Sequence, residues 1–201
     1  EQGELRLTNP AETLAALAGL ESNPQKKLPA KFLVASLENA DPRVQQAALH
    51  VVRQSAAGEK TFLAPTLKIL HSAKSPATRL EAIFALGLFG NVVSLDEWLG
   101  CVRSSAKDAV AATLRSMRQV EQAPELAKAL LEAAPALARR EPDLGEDLLL
   151  TLRMLGVQAG QCESLPIALK APGSKSDLAA SVLARLPKAS AWLGRLSFHS
   201  A

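Results

Sequence analysis

The chain has 201 residues, of which 48% are hydrophobic and 21% are charged, and its formal net charge is +3 at pH 7. A chain of this size buries roughly 70% of its unfolded surface, so it can form a core without disulfides or metals. Ala (36) and Leu (35) dominate, Tyr is absent and only 3% of residues are aromatic. Ala and Leu favour helices, whereas sheets depend on β-branched and aromatic residues. The composition therefore argues against a sheet-rich fold and predicts an all-α protein.

Neither a disulfide framework nor a membrane span is indicated. Cys101 and Cys162 are too few for a disulfide scaffold or a Cys-rich zinc site, and they leave the redox compartment open. No apolar run reaches the length of about 18 residues that a transmembrane helix needs. Residues 1–4 contain neither an initiator Met nor a basic and apolar leader, which is typical of a processed or truncated beginning. We expect a cytoplasmic protein, with a periplasmic or exported location left open.

Prolines that open helices recur along the chain at a nearly constant spacing. Proline is favoured at the first helical position, because its missing N–H would have no partner there. Pro10 and Pro42 are 32 residues apart, and Pro76 follows after another 34. Pro142 follows Pro76 after 66 residues, or twice 33. Residues that can cap a helix start precede several of these points, namely Asn9, Asp41, Ser75, Asp108 and Ser174. The repeat markers therefore lie near residues 10, 42, 76, 109, 142 and 175.

A second, shorter helix is predicted before each later marker. These stretches are residues 31–37, 62–70, 95–102, 127–137 and 165–169. In the third of them, Ser94 and Glu97 are typical of a capping box, in which Ser94 covers the helix start and Glu97 reaches back. A helix pair cannot cover its own apolar faces, so neighbouring pairs must stack. We predict a single domain over residues 1–201 with about five to six helix pairs, closed by a last helix at 190–201.

The stretch around Asp41 resembles a HEAT repeat. A Leu-rich first helix ends in a turn at Asp41, and a second helix follows with Ala47, Ala48 and Leu49 in its core. Residues 75–87 repeat this pattern, and Arg79 lies near the usual Arg position of the family. The short period is similar to the compact bacterial HEAT-like subclass first noted in bilin lyases. The resemblance is clear over residues 31–90, is weaker over 91–189, and implies a right-handed α-solenoid.

The sequence contains no recognisable catalytic or metal-binding constellation. His50, His71 and His199 each lack a second His or a Cys at metal-ligand spacing, so we expect no metal and no cofactor. Cys101 lies in an amphipathic helical stretch, and we interpret it as a small buried apolar group rather than a nucleophile. We therefore predict that the protein is not an enzyme.

Arginines are the most suggestive candidate binding residues. The resemblance implies that the second helices of the pairs line a concave face. These helices carry the candidate partner-binding residues Arg43, Arg53, Arg79, Arg115, Arg118 and Arg153. One interpretation is a basic strip that binds an acidic peptide or a phosphate backbone. The other is a solvated helix face, partly neutralised by residues such as Glu81, with Arg79 in a ladder between repeats.

These features leave three functional hypotheses. The first is a non-catalytic scaffold that binds a partner protein or peptide along the concave face. The second is a nucleic-acid-binding protein similar to the HEAT-like alkylpurine DNA glycosylases, which grip the duplex with a basic face and aromatic side chains. For Trp98 and Trp192, however, packing in the core or in a cap is the favoured interpretation. The third is a subunit of a bilin-lyase-type enzyme, implied only by the resemblance to that subclass.

Overall fold

The computed structural model describes residues 9–21, 30–55, 59–121, 123–163 and 165–167. All regular structure in these residues is helical, with no β-strand among them, which confirms the all-α prediction. The chain divides into two compact units, Glu1–Val120 and Glu121–Ala201. None of the described helices combines the length and the apolar character needed to cross a membrane. A single domain over all 201 residues stays a prediction.

The described part of the first unit contains seven α-helices. They are α1 (Pro10–Glu21), α2 (Ala30–Leu37), α3 (Pro42–Ser55), α4 (Leu63–Ser72), α5 (Pro76–Leu86), α6 (Leu95–Val102) and α7 (Lys107–Met117). Short 3₁₀ helices precede α4 at Lys60–Phe62 and follow α5 at Gly87–Val92. Helices α1, α3, α5 and α7 form a row in which each contacts the next. Helices α2, α4 and α6 each pack against the odd-numbered helix that follows them. After α1, the unit thus consists of three helix pairs.

Apolar side chains from all three pairs make the core of the first unit. Leu49 of α3, Ile83 of α5 and Leu114 of α7 are each at most 1% exposed. Full burial of such a side chain contributes roughly 1.5–3 kcal/mol, so the row of helices is stabilised mainly by these contacts. Trp98 of α6 is also buried, as the packing interpretation predicts. Trp192 and the predicted last helix at 190–201 lie outside the described residues.

Four predicted helix caps are confirmed by hydrogen bonds. The backbone N–H of Ala11 donates to Asn9 Oδ1 over 2.9 Å, and the backbone N–H of Arg43 donates to Asp41 Oδ1 over the same distance. The Ser75 hydroxyl accepts at the start of α5, and the Ser94 hydroxyl accepts at the start of α6. Each bond satisfies a donor that the helix itself leaves without a partner.

Two of the predicted helix starts differ in detail from the structure, and the last repeat marker lies outside the described residues. Helix α7 begins at Lys107, and its N-cap is Ala106, which offers no side-chain acceptor, so Asp108 lies in the first turn. The physical reason is that burial of the apolar side of α7, rather than a cap, determines where this helix lies. Pro142 opens a 3₁₀ helix instead of an α-helix. The marker near 175 falls on residues that the structure does not describe.

The described part of the second unit contains three α-helices. They are α8 (Pro124–Arg140), α9 (Gly145–Met154) and α10 (Ala159–Glu163), and a 3₁₀ helix at Pro142–Leu144 leads directly into α9. Helix α9 contacts both α8 and α10. Leu130 of α8 and Leu148 of α9 are fully buried in the core of this unit. The short helix predicted at 127–137 is confirmed and is longer at both ends. The helix predicted at 165–169 is not formed over its described residues 165–167, which are non-helical.

Candidate functional site

Helices α3, α5 and α7 bury the same pattern of positions. Five buried residues of α3 have buried counterparts 34 positions later in α5, at 44 and 78, 48 and 82, 49 and 83, 51 and 85, and 52 and 86. The α5 positions recur 31 positions later in α7, at 109, 113, 114, 116 and 117. These five positions therefore have the same relation to the core in the three helices, and α7 buries Val110 and Ala112 in addition.

This register also identifies a face of the three helices that is turned away from the core, which we call the open face. It includes Arg43, His50 and Arg53 on α3, Leu80, Glu81 and Phe84 on α5, and Arg115 and Arg118 on α7. Two of these residues, Arg43 and Arg115, are exposed, and the other six are half-buried. The open face is therefore a partly shielded surface that carries both charged and apolar side chains.

A groove of about 330 Å³ lies on the open face between α3 and α5. Its lining consists of Arg43, Gln46, Ala47 and His50 on α3 and Glu81 on α5. Ligand sites usually measure about 300–1,000 Å³, so this volume is at the lower end and suits one or two side chains. The lining is polar apart from Ala47, so hydrogen bonds and charge determine what the groove can hold.

Arg43 is held at the edge of the groove by the residue that caps its own helix. Its Nη2 lies 2.8 Å from Asp41 Oδ2, and its Nε lies 3.2 Å from Asp41 Oδ1. These hydrogen bonds lower the pKa of Asp41 and raise the pKa of Arg43. The Arg43 side chain nevertheless remains 76% exposed. A guanidinium has five N–H donors, and these two bonds occupy two of them, so Arg43 can still donate to a ligand.

Arg53 joins α3 to α5. Its Nη1 lies 2.7 Å from Glu81 Oε2, and its guanidinium carbon lies 5.0 Å from the centre of the Phe84 ring. Both distances suit favourable contacts, one an ion pair and the other a cation–π interaction. Arg53 therefore fixes Glu81 and Phe84 in place on the open face as well as contributing its own charge.

Arg79 is not brought together with the other candidate arginines. Arg79 is itself exposed, although it lies on the same side of α5 as the buried residues Ile83 and Leu86, four and seven positions later. Its Nη2 donates to the carbonyl oxygen of Ala73 over 2.9 Å, in the loop before α5. The equivalent residue of α3, Gln45, donates to the loop before α3 across the same six-residue separation, over 2.8 Å. Arg79 thus braces the turn within its own helix pair.

The remaining candidate arginines divide between the two units. Arg115 lies in the last turn of α7 and Arg118 follows as its C-cap, both on the open face. Arg153 belongs to the second unit, where its Nη1 donates to the carbonyl oxygen of Val157 at the end of α9. The structure therefore places Arg43, Arg53, Arg115 and Arg118 on one surface, and it describes Arg153 only within its own unit.

Glu97 takes a different role from the predicted one. Its backbone N–H donates to the Ser94 hydroxyl over 3.3 Å, as expected for the capping box. Its carboxylate instead contacts the His71 imidazole, whose Nε2 lies 3.0 Å from Oε2 and 3.2 Å from Oε1. The side chain therefore joins the end of α4 to the first turn of α6.

No three His, Cys, Asp or Glu side chains in the described ranges are placed to share a metal ion.

Cys101 is poorly suited to act as a nucleophile. Burial raises the pKa of its thiol to about 11, and the Glu97 carboxylate contributes to the increase, whereas a hydrogen bond with Thr113 opposes it. Reactive cysteines have a lowered pKa, because the thiolate is the nucleophile. The thiol stays protonated at neutral pH, and the interpretation of Cys101 as a buried apolar group agrees with its 9% exposure.

Four residues of the open face were not identified as candidates from the sequence, namely His50, Leu80, Glu81 and Phe84. The signal that could have found them is the spacing of 34 between α3 and α5, which brings positions 47 and 81, and 50 and 84, into register.

Comparison of the chain with protein-family models, with curated proteins and with solved structures finds no match.

Proposed function

We propose that the protein is a non-catalytic protein-binding module, built as a HEAT-like α-solenoid, which holds its partner along the open face. The solenoid is supported by the row of α1, α3, α5 and α7 and by the three helix pairs of the first unit. It is also supported by the recurrence of the buried positions after 34 and then 31 residues. Stacked helix pairs of this kind present extended surfaces that bind partners through many modest contacts.

The observation that carries this proposal is the composition of the open face. Helices α3, α5 and α7 present equivalent positions there, and these positions hold His50, Phe84 and Arg115 instead of core residues. Aromatic and Arg side chains are enriched where proteins bind one another. The partner-binding residues that we propose on this face are Arg43, Arg53, Arg115 and Arg118.

Protein is favoured over nucleic acid by the pairing of these arginines. Arg43 and Arg53 each have a carboxylate partner within 2.8 Å, from Asp41 and Glu81 respectively. Nucleic-acid binding depends on positive charge that neutralises phosphates. Charges already balanced by carboxylates contribute less to such binding, but they can still form directional hydrogen bonds with a protein partner.

The proposal is tested by capture from a lysate of the source cells, with the whole chain immobilised. Captures are run at low and at high salt, each with and without nuclease. The test variant carries Arg43→Glu and Arg115→Glu, and the control carries Arg103→Glu, an exposed residue at the end of α6 and outside the open face. We expect one discrete protein to be retained by the original chain and the control and lost by the test variant.

Other outcomes of this capture contradict the proposal. Retention that disappears with nuclease identifies a nucleic-acid-binding protein instead. Equal retention by all three chains shows that the open face is not the binding surface. The absence of any retained protein at either salt concentration overturns the assignment as a binding module.

A further inference from the structure

The middle helix of the open face differs from its two neighbours. At the positions where α3 carries Gln46 and His50, α5 carries Leu80 and Phe84, and both of these apolar side chains are half-buried. They are four residues apart, so they lie next to each other along the same side of α5. The centre of the open face is therefore an apolar ridge, which we call the α5 ridge and define by Leu80 and Phe84.

Arginine side chains flank the α5 ridge on both sides. Arg43 lies on the α3 side and is 76% exposed. Arg115 lies on the α7 side and is also exposed, as is Asp108 at the α7 position equivalent to Arg43. Arg53 covers the Phe84 ring from the α3 side, with its guanidinium 5.0 Å from the ring centre. A ligand that lies across the α5 ridge thus meets an apolar centre and a guanidinium on each flank, that of Arg43 with N–H donors left over from its pairing with Asp41.

We infer that the open face binds a peptide segment of a partner protein in which Leu or Phe side chains are flanked by Asp or Glu. This inference rests on the proposed protein-binding function and specifies the chemistry of the partner. The apolar side chains of the segment lie on Leu80 and Phe84, and its carboxylates reach Arg43 and Arg115. Apolar anchors supply most of the affinity at such a surface, and the flanking charges supply specificity and association rate.

The groove between α3 and α5 contributes the first of these charge contacts. Its volume of about 330 Å³ accommodates one acidic side chain, and Arg43 and Gln46 at its edge can donate hydrogen bonds to a carboxylate. Glu81 on the opposite wall already accepts from Arg53 over 2.7 Å. A peptide carboxylate therefore belongs at the Arg43 end of the groove, where it accepts from the N–H groups of Arg43 that are not bonded to Asp41.

Three labelled peptides of equal length test this inference by fluorescence anisotropy with the full chain. The first combines Glu and Leu, the second combines Lys and Leu, and the third combines Glu and Ser. We expect the Glu and Leu peptide to bind at least about tenfold more tightly than either of the others, since only it satisfies both the ridge and its flanks.

Two substitutions separate the contributions of the ridge and of the flanks. Phe84→Ala should weaken the binding of the Glu and Leu peptide by about tenfold without changing the salt dependence of that binding. Arg115→Glu should weaken it by a similar factor at low salt and by less at high salt, because exposed charges are screened. Leu95→Ala and Arg103→Glu are the matched controls, an exposed apolar and an exposed basic residue outside the open face, and they should change nothing.

Several results would overturn the inference. Equal binding of the Lys and Leu peptide indicates unspecific apolar attraction, and equal binding of the Glu and Ser peptide indicates general attraction to acid. If Phe84→Ala fails to fold, Leu80→Ala provides the same test, and unchanged affinity in a folded ridge variant refutes the site. A lysate partner that depends on Arg43 and Arg115, together with no peptide binding, refutes only this chemistry. If neither a lysate partner nor a peptide binds, the proposed protein-binding function is refuted as well.

Discussion

Substitution of Arg53 by Ala tests whether the open face is held in shape by its own contacts. Arg53 Nη1 lies 2.7 Å from Glu81 Oε2, and the guanidinium also lies over the Phe84 ring. The two side chains of the ion pair are 34% and 23% exposed, so the pair is only partly screened by water. Because both contacts cross from α3 to α5, the substitution should weaken the packing of these two helices.

The expected loss can be worked out from these contacts. An exposed ion pair contributes about 0.2–1 kcal/mol, and the partial shielding of Arg53 and Glu81 places this pair near the upper end of that range. The cation–π contact with Phe84 contributes about 0.5–1 kcal/mol. Arg53→Ala also leaves a half-buried carboxylate without its partner. We expect the free energy of unfolding to fall by about 1.5–2.5 kcal/mol.

Urea unfolding followed by far-ultraviolet circular dichroism measures this loss. A double-mutant cycle of Arg53→Ala with Glu81→Gln isolates the ion pair, for which we expect a coupling of about 1 kcal/mol that decreases in high salt. Arg103→Ala is the control, and its effect should stay within about 0.5 kcal/mol. A loss from Arg53→Ala no larger than that of the control, with zero coupling, would show that the pair is fully solvated and that this reasoning is wrong.

Three further predictions concern residues outside the open face. The pKa of the Cys101 thiol is raised from 9.0 to about 11 in the folded chain. As the pH rises, the unfolded chain therefore loses this proton before the folded chain does, and the free energy of unfolding falls by up to about 2–3 kcal/mol between about pH 9 and 11. Cys101→Ala should make this decrease shallower when unfolding by urea is measured at several pH values. Parallel curves of unfolding free energy against pH for the two chains would contradict this. Arg79→Ala removes the hydrogen bond to the loop before α5 and should cost about 1 kcal/mol in urea unfolding, with no change in partner capture; a loss of capture would place Arg79 in the binding surface after all. Gly145→Ala would put a Cβ 2.7 Å from Ile167 Cγ2, so we expect a net loss of about 1–2 kcal/mol despite the better helix propensity of Ala. Gly160→Ala, with nothing within 4 Å, is its control, and equal melting temperatures of the two variants would refute the clash.

Helix starts that depend on neighbouring residues could be predicted well. Asn9, Asp41 and Ser75 each accept a hydrogen bond from a backbone N–H of the helix that follows, and the following helices begin at Pro10, Pro42 and Pro76. Both signals act within a few residues, so they need no knowledge of the rest of the fold. The start of α7 could not be predicted in this way, because Ala106 has no capping side chain and burial determines the position of the helix.

The candidate site was only partly predictable. An Arg at a given helical position can point to a partner, to solvent or to its own turn, and a repeat pattern does not distinguish these possibilities. Arg53 and Arg79 illustrate this, since Arg53 contacts Glu81 on the next helix of the row whereas Arg79 bonds a carbonyl in the preceding loop. The choice depends on which acceptor lies within reach once the helices have packed.

Local sequence signals were thus sufficient for the helical class and for several helix boundaries of the first unit. They suffice because propensity, capping and apolar spacing act over one to three turns. The arrangement of the open face depends on longer distances. The contact between Arg53 and Glu81 joins residues 28 positions apart, and that between His71 and Glu97 joins residues 26 positions apart. Such contacts form only after burial of the core has set the register between helices, so the tertiary structure alone shows which charges are paired and which side chains surround Phe84.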